Sequence, residues 1–251
     1  MKMSVIIPLL LVVSMACKKN NIMVNGDTNR QDTVMNPADT TKKDTTVFNP
    51  PANRRYLALG DSYTIGEAVG ENERYPAQLK DSLAKYNFNI SDLNIIARTG
   101  WTTANLLNAL QSTPPVGNYD LVTLLIGVNN QYQGLSLQQY SVEFTALLDK
   151  CKQYAGYDNK RIVVISIPDY SVVPFAKYSD TVKIRTQLEQ FNSTNKNITQ
   201  YNGITYIDVF GLSQEARIDK SLVAKDSLHF SGKEYAKWTN LLLPLAKEIL
   251  K

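Results

Sequence analysis

From Leu121 to Ile126 the chain reads Leu-Val-Thr-Leu-Leu-Ile, interrupted only by Thr123. A run that short and that apolar predicts a strand covered on both faces, the kind found in parallel sheets. Four further strand-like runs occupy Arg55 to Leu59, Leu93 to Ala97, Arg161 to Ile167 and Ile204 to Val209. Helix-like segments alternate with them. Tyr75, Leu79, Leu83 and Tyr86 share one helical face, and Leu106, Leu107 and Leu110 mark a short helix stopped by Pro114-Pro115. Leu137, Tyr140, Phe144, Leu147, Leu148, Cys151 and Tyr154 give the clearest helical spacing in the chain. Ile184, Leu188, Phe191, Ile198 and Tyr201 predict another helix. The last carries Tyr235, Trp238, Leu242, Leu245 and Ile249 inward and opens with Ser231 and Glu234 as a capping box. Strands alternating with helices specify a parallel sheet with helices on both sides. The expected fold is α/β, a flavodoxin-like three-layer α/β/α sandwich with a five-stranded parallel sheet. In such sheets ligands bind beyond the carboxyl ends of the strands, near the point where strand order reverses.

Composition permits one domain with appendages. The 251 residues are 43% hydrophobic, enough for a full core, and carry a net charge of +4. Lysines and arginines are scattered, so no nucleic-acid footprint is present. Two cysteines and one histidine are too few for a zinc site, and no metal or cofactor is implied. Cys151 falls on an apolar helix face, where a buried, inert thiol is expected.

The N-terminus gives the expected address. Met1-Lys2-Met3, a short apolar run to Val13 and small residues before a cut point make a signal peptide. Ala16 followed by Cys17 resembles the lipobox of bacterial lipoproteins, with Ser14 in place of the usual leucine. Residues 1–17 are therefore expected to be a signal peptide ending at a lipidated Cys17. Residues 18–53 are rich in Asn, Thr, Asp and Lys with sparse apolar residues, and are expected to be a flexible polar tether. Residues 54–251 form the domain, an exported monomer held at a bacterial membrane through Cys17, facing the periplasm or the cell surface.

Chemistry-bearing residues follow the strands. Gly60-Asp61-Ser62 follows the first, Arg98-Thr99-Gly100-Trp101 the second and Gly127-Val128-Asn129-Asn130 the third, and Asp226-Ser227-Leu228-His229 precedes the last helix. A serine hydroxyl is a weak nucleophile that needs a base. Imidazole is the usual one, ordinarily titrating at about pH 6–7, and His229 is the only histidine. A carboxylate must orient that ring, and Asp226 stands three residues earlier. Ester hydrolysis also needs donors for the oxyanion. The available set is the Ser62 N–H, the Gly100 N–H, which no Cβ obstructs, and the side-chain amide of Asn129. Asp61 reads as a structural group bonding backbone beside the serine.

These segments resemble the SGNH hydrolases, also called GDSL esterases and lipases. The Gly-Asp-Ser block matches Gly60-Asp61-Ser62, the glycine block Gly100, the Gly-x-Asn-Asp block Gly127 to Asn130, and the Asp-x-x-His block Asp226 and His229. The resemblance spans about Arg54 to Lys251 and implies Ser62 as nucleophile, His229 as base, Asp226 as its orienter, and Ser62, Gly100 and Asn129 as oxyanion donors. Asn130 departs from the family's usual aspartate. Thr64 stands where the nucleophile elbow Gly-x-Ser-x-Gly has its last glycine, which argues against an α/β-hydrolase.

The expected activity is that of a serine esterase acting through an acyl-enzyme. Its substrate would be a small-molecule or glycan ester, and an envelope lipoprotein fits an acetylated glycan or a lysophospholipid-type ester equally. Tyr63, Trp101 and Tyr132 are candidate substrate contacts among aromatics that include Tyr170, Phe175 and Phe230. Thr102 and Thr103 read as caps of the following helix, and Pro168 to Lys177 as a loop over the site. The competing reading is a non-catalytic, glycan-binding surface lipoprotein using the same groove.

Overall fold

The computed structural model describes residues 53–251. The expected signal peptide, Cys17 and nearly all of the tether lie outside the described residues. In chain order the elements are β1 (Arg54–Gly60), α1 (Ser62–Ile65), α2 (Tyr75–Ala84), β2 (Ile90–Ala97), α3 (Thr103–Ser112), β3 (Leu121–Leu125), α4 (Val128–Tyr132), α5 (Leu137–Tyr154), β4 (Ile162–Ile165), α6 (Thr181–Tyr201), β5 (Thr205–Ile207), α7 (Phe210–Ser213) and α8 (Gly232–Ile249). The five strands form one sheet in the order β2-β1-β3-β4-β5, and every pairing is parallel. This is the flavodoxin-like order. Helices α2 and α8 pack together, and α3, α5 and α6 pack in sequence as the other group.

Burial explains the apolar runs. Every residue of β3 and β4 is buried, as are Tyr56 to Gly60 of β1. Thr123, the one polar residue of the β3 run, is bonded by a tyrosine of β1 and one of α2. Its hydroxyl shares hydrogen bonds with Tyr56 Oη at 2.9 Å and Tyr75 Oη at 3.3 Å. A buried hydroxyl so bonded costs little, which is why the strand tolerates it. Cys151 is free and buried in α5, and burial pushes its thiol up to about 12, so it stays protonated and inert.

Three details differ from expectation. Tyr86 and Tyr201 do not share their helices' inner faces. Tyr86 lies past the end of α2, exposed, with Lys247 Nζ 3.7 Å above its ring centroid, and Tyr201 is the exposed last residue of α6. The capping box of α8 does not form. Ser231 Oγ donates instead to the Ser221 carbonyl at 2.7 Å, and Glu234 turns inward. The Trp238 indole N–H is fully buried and needs an acceptor, which Glu234 Oε1 supplies at 2.9 Å. Finally, the short helices α1 and α4, which begin right after β1 and β3, had no periodic signal to announce them.

Candidate active site

The sheet order reverses at β1. The chain leaves β1 toward β2 on one side and returns past it to form β3 on the other. The loops after β1 and β3 therefore diverge at the switch point, leaving a crevice at the strand ends. Ser62 opens α1 directly after β1, and Asn129 sits in α4 directly after β3.

Close backbone packing sets Ser62 in place. A Cβ on Gly60 would fall 2.1 Å from Thr64 Oγ1 and 2.4 Å from the Leu125 carbonyl, so only glycine lets α1 fold back over the end of β3. Asp61 caps α1, its Oδ1 accepting from Tyr63 N–H at 3.1 Å. Its Oδ2 has no partner among the described residues. Burial pushes the Asp61 carboxyl up to about 7, against the pull of backbone N–H groups.

The Asp226 to His229 segment is a turn closed by its own carboxylate. Asp226 Oδ1 accepts from Leu228 N–H at 3.0 Å and His229 N–H at 2.9 Å, and Oδ2 meets His229 Nδ1 at 2.5 Å. Burial pushes the Asp226 carboxyl up, but these hydrogen bonds outweigh it and hold it below the usual carboxylate range. Tyr63 also packs against the ring, edge-on at 5.6 Å between centroids. With Nδ1 fixed on Asp226, Nε2 is the nitrogen left for other work.

Ser62, Gly100, Asn129 and His229 line one cavity of about 170 Å³. Ser62 and His229 do not bond each other directly, which is common for such pairs without substrate. The Ser62 and Gly100 N–H groups donate to no protein acceptor among the described residues. Asn129 Nδ2 spends one hydrogen on the Trp101 carbonyl at 3.0 Å, leaving its second free. A Cβ at Gly100 would meet no protein atom within 4 Å, and the backbone holds φ +82°, a left-handed conformation that glycine adopts freely.

The candidate substrate contacts separate. Tyr132 is exposed and lines the cavity, facing Tyr170 and Phe175 at 6.3 Å each. Tyr63 lines the wall too, but is buried against Phe230 and Trp238, so its ring supports His229 more than it meets solvent. Phe230 is fully buried in that cluster. Trp101 does not line the cavity at all and stands in a neighbouring groove. The Pro168–Lys177 segment does cover the site. Tyr170 Oη donates to Gln131 Oε1 at 2.9 Å, and Phe175 N–H to the Ser227 carbonyl at 3.0 Å.

Sequence reasoning gave Asn130 no role, yet it locks the glycine loop to α4. Its Oδ1 accepts from Thr103 N–H at 3.0 Å, and its Nδ2 donates to Thr103 Oγ1 at 2.6 Å. Thr103 Oγ1 in turn donates to Glu143 Oε2. Thr102 forms the expected cap, with Asn105 completing a capping box. The hydroxyl of Thr103 has one hydrogen, so it can serve one carboxylate. An aspartate at 130 would compete with Glu143 for it, which accounts for asparagine here.

Two predictions follow from this arrangement. Asn130→Asp should lower stability by about 1–3 kcal/mol in urea unfolding, and adding Glu143→Gln should restore part of that loss. Equal losses with and without the second change would contradict the shared-proton account. Asp61 holds its proton more tightly folded than unfolded, where a carboxyl titrates near about 3.9. Its contribution therefore falls as pH rises from about 4 to about 7. Asp61→Asn keeps the capping oxygen without ionising, so its stability relative to the unaltered chain should rise from pH 4 to pH 7.5. The scale is about 1.4 kcal/mol per unit of separation, and a difference that is flat with pH would refute the buried-proton assignment.

No curated protein matches the chain. Solved structures similar to it include a lipase from a goat rumen metagenome, at 20% identity and TM-score 0.63, covering 77% of this chain and 97% of that one. A Clostridium thermocellum family 3 carbohydrate esterase is 21% identical at TM-score 0.58, covering 79% and 98%. Phospholipase A1 from Streptomyces albidoflavus is 18% identical at TM-score 0.57, covering 78% and 99%. Likeness at this level establishes the shared fold. The family model of GDSL-like lipases and acylhydrolases matches residues 58–237, a span that contains every block of the site. The chain belongs to the GDSL-like lipase/acylhydrolase family, a family of ester-bond hydrolases.

Proposed function

We propose that this chain hydrolyses short-chain carboxylic esters through an acyl-enzyme on Ser62. The observation that carries the reading is the His229 ring, pinned by Asp226 at Nδ1 and lining the same cavity as Ser62, Gly100 and Asn129. Ser62 Oγ attacks the ester carbonyl while His229 Nε2 takes its proton. Asp226 Oδ2 holds Nδ1–H and stabilises the imidazolium that forms. The developing oxyanion accepts from Ser62 N–H, Gly100 N–H and the free hydrogen of Asn129 Nδ2. The carbonyl then re-forms, and His229 hands its proton to the leaving alcohol. Water repeats the sequence on the acyl-enzyme and frees the acid.

Cavity size argues for the acyl length. About 170 Å³ is close to the engineered cavity of about 150 Å³ that holds one benzene ring. Tyr132, Tyr170 and Phe175 pack against one another and form an aromatic part of its lining. An acetyl or butyryl group fits; a long chain has to run out past the aromatics. In the cell envelope a carbohydrate acetyl ester fits that size, whereas a lysophospholipid-type ester would leave most of its long acyl chain outside the cavity. A lipidated Cys17 and the 18–53 tether would hold the domain at a membrane.

Ser62→Ala should reduce turnover of 4-nitrophenyl acetate by at least about 10³-fold. The unaltered enzyme should lose about tenfold or more from butyrate to octanoate. Full activity in Ser62→Ala would end the nucleophile assignment, and octanoate preferred over acetate would end the short-acyl assignment.

A further inference from the structure

The indole of Trp101 opens onto a second concavity, a groove of about 580 Å³ beside the cavity of Ser62. Gly100 lines the cavity and Trp101 lines the groove, so the two are separated by a single peptide unit. The groove follows β2, the edge strand of the sheet. Asp92, Asn94 and Ile96 alternate onto one face of that strand and form its floor. From Asp92 to Ile96 is five residues, four steps or about 13 Å of strand. The end of α3 and the Thr113–Val116 segment form the opposite wall.

The charges in this groove cancel. Arg55 Nε and Nη2 both meet Asp92 Oδ2 at 2.9 Å, and the guanidinium lies 4.2 Å from the centroid of the Tyr119 ring. A phosphate or carboxylate finds no unpaired cation there. An acyl chain meets a floor broken by a carboxylate and an amide. Asn94 Nδ2 donates to Tyr119 Oη at 3.0 Å, which leaves its carbonyl oxygen to accept from a ligand. Ser112 and Thr113 add hydroxyls on the far wall. A half-buried aromatic face flanked by amide, hydroxyl and carboxylate acceptors suits a pyranose ring, which has an apolar face and a rim of hydroxyls.

We propose that this groove binds a neutral glycan chain and that the ester presented to Ser62 is carried on a sugar of that chain. The second half rests on the esterase reading above; the first does not. A polymer lying along β2 places its end unit beside Gly100, where a short acyl group on it reaches the small cavity. The glycan then supplies binding energy away from the reacting centre, which a small nitrophenyl ester lacks.

Tryptophan emission reads this binding directly. The chain has two tryptophans, and Trp238 is fully buried, so a ligand-induced change reports Trp101. The full-length chain is titrated with unesterified xylohexaose, mannohexaose and cellohexaose. At least one should give a saturable emission shift, absent in Trp101→Ala and at least fivefold weaker in affinity in Asn94→Ala, whose side chain lies on the outer strand face. Circular dichroism establishes that both variants are folded, and Asn94→Ala carries the test alone if Trp101→Ala is not. No response to any hexaose, or an undiminished response in the variants, overturns the proposal. So does a response to phosphocholine micelles alone, which would assign the groove to a lipid. Because the probes carry no ester, the two readings fail separately. Hexaose binding without ester turnover sinks the esterase reading and leaves the groove, and ester turnover without hexaose binding does the reverse.

Discussion

The crossover from β2 past β1 to β3 is the constraint on which the site depends. It forces the chain to exit β1 and β3 in divergent directions and leaves the crevice that Ser62 and Asn129 border. The crossover is affordable only because the central strands exclude water on both faces, and because nothing bulky stands at the exit. Gly60 meets that second condition. Any side chain there would collide with Thr64 and the Leu125 carbonyl and lift α1 from the sheet.

Within the crevice, one carboxylate does two jobs. Asp226 closes its own turn through Oδ1 and orients the ring of His229 through Oδ2. The turn needs Ser227 at φ +66°, an uncommon conformation for a residue other than glycine or asparagine. The loop bearing Phe175 docks on that same residue's carbonyl. Turn, ring and covering loop are thus coupled, so the ring's orientation is settled before substrate arrives. Preorganisation of this kind is what lets a polar site act without rearranging during reaction.

Much of this was legible from residue order. β3 and α5 announce themselves because long apolar runs carry either no period or a clear one. The four blocks were readable because parallel sheets put chemistry at strand ends, and the family match covers the span in which they lie. What escaped reading has local physical reasons. Helices α1 and α4 are four and five residues long, too short to show a period. The capping box of α8 failed because a buried indole, distant from any propensity rule, claimed Glu234. Asn130 looked like a neutral departure because its partner, Thr103, lies far from it in sequence, and so does Glu143, which takes the Thr103 hydroxyl proton. The direction of Trp101 could not be read at all. One residue past Gly100 decides between cavity and groove, and only the fold of the loop makes that choice.

The central claim is that His229, held by Asp226, makes Ser62 a nucleophile. Reaction with a fluorophosphonate followed by peptide mass spectrometry tests it most directly, because the phosphonyl group stays on the activated serine. The account predicts stoichiometric labelling of the peptide containing Ser62, and loss of that labelling in folded His229→Ala. Labelling at another serine, or undiminished labelling of Ser62 without His229, would contradict it.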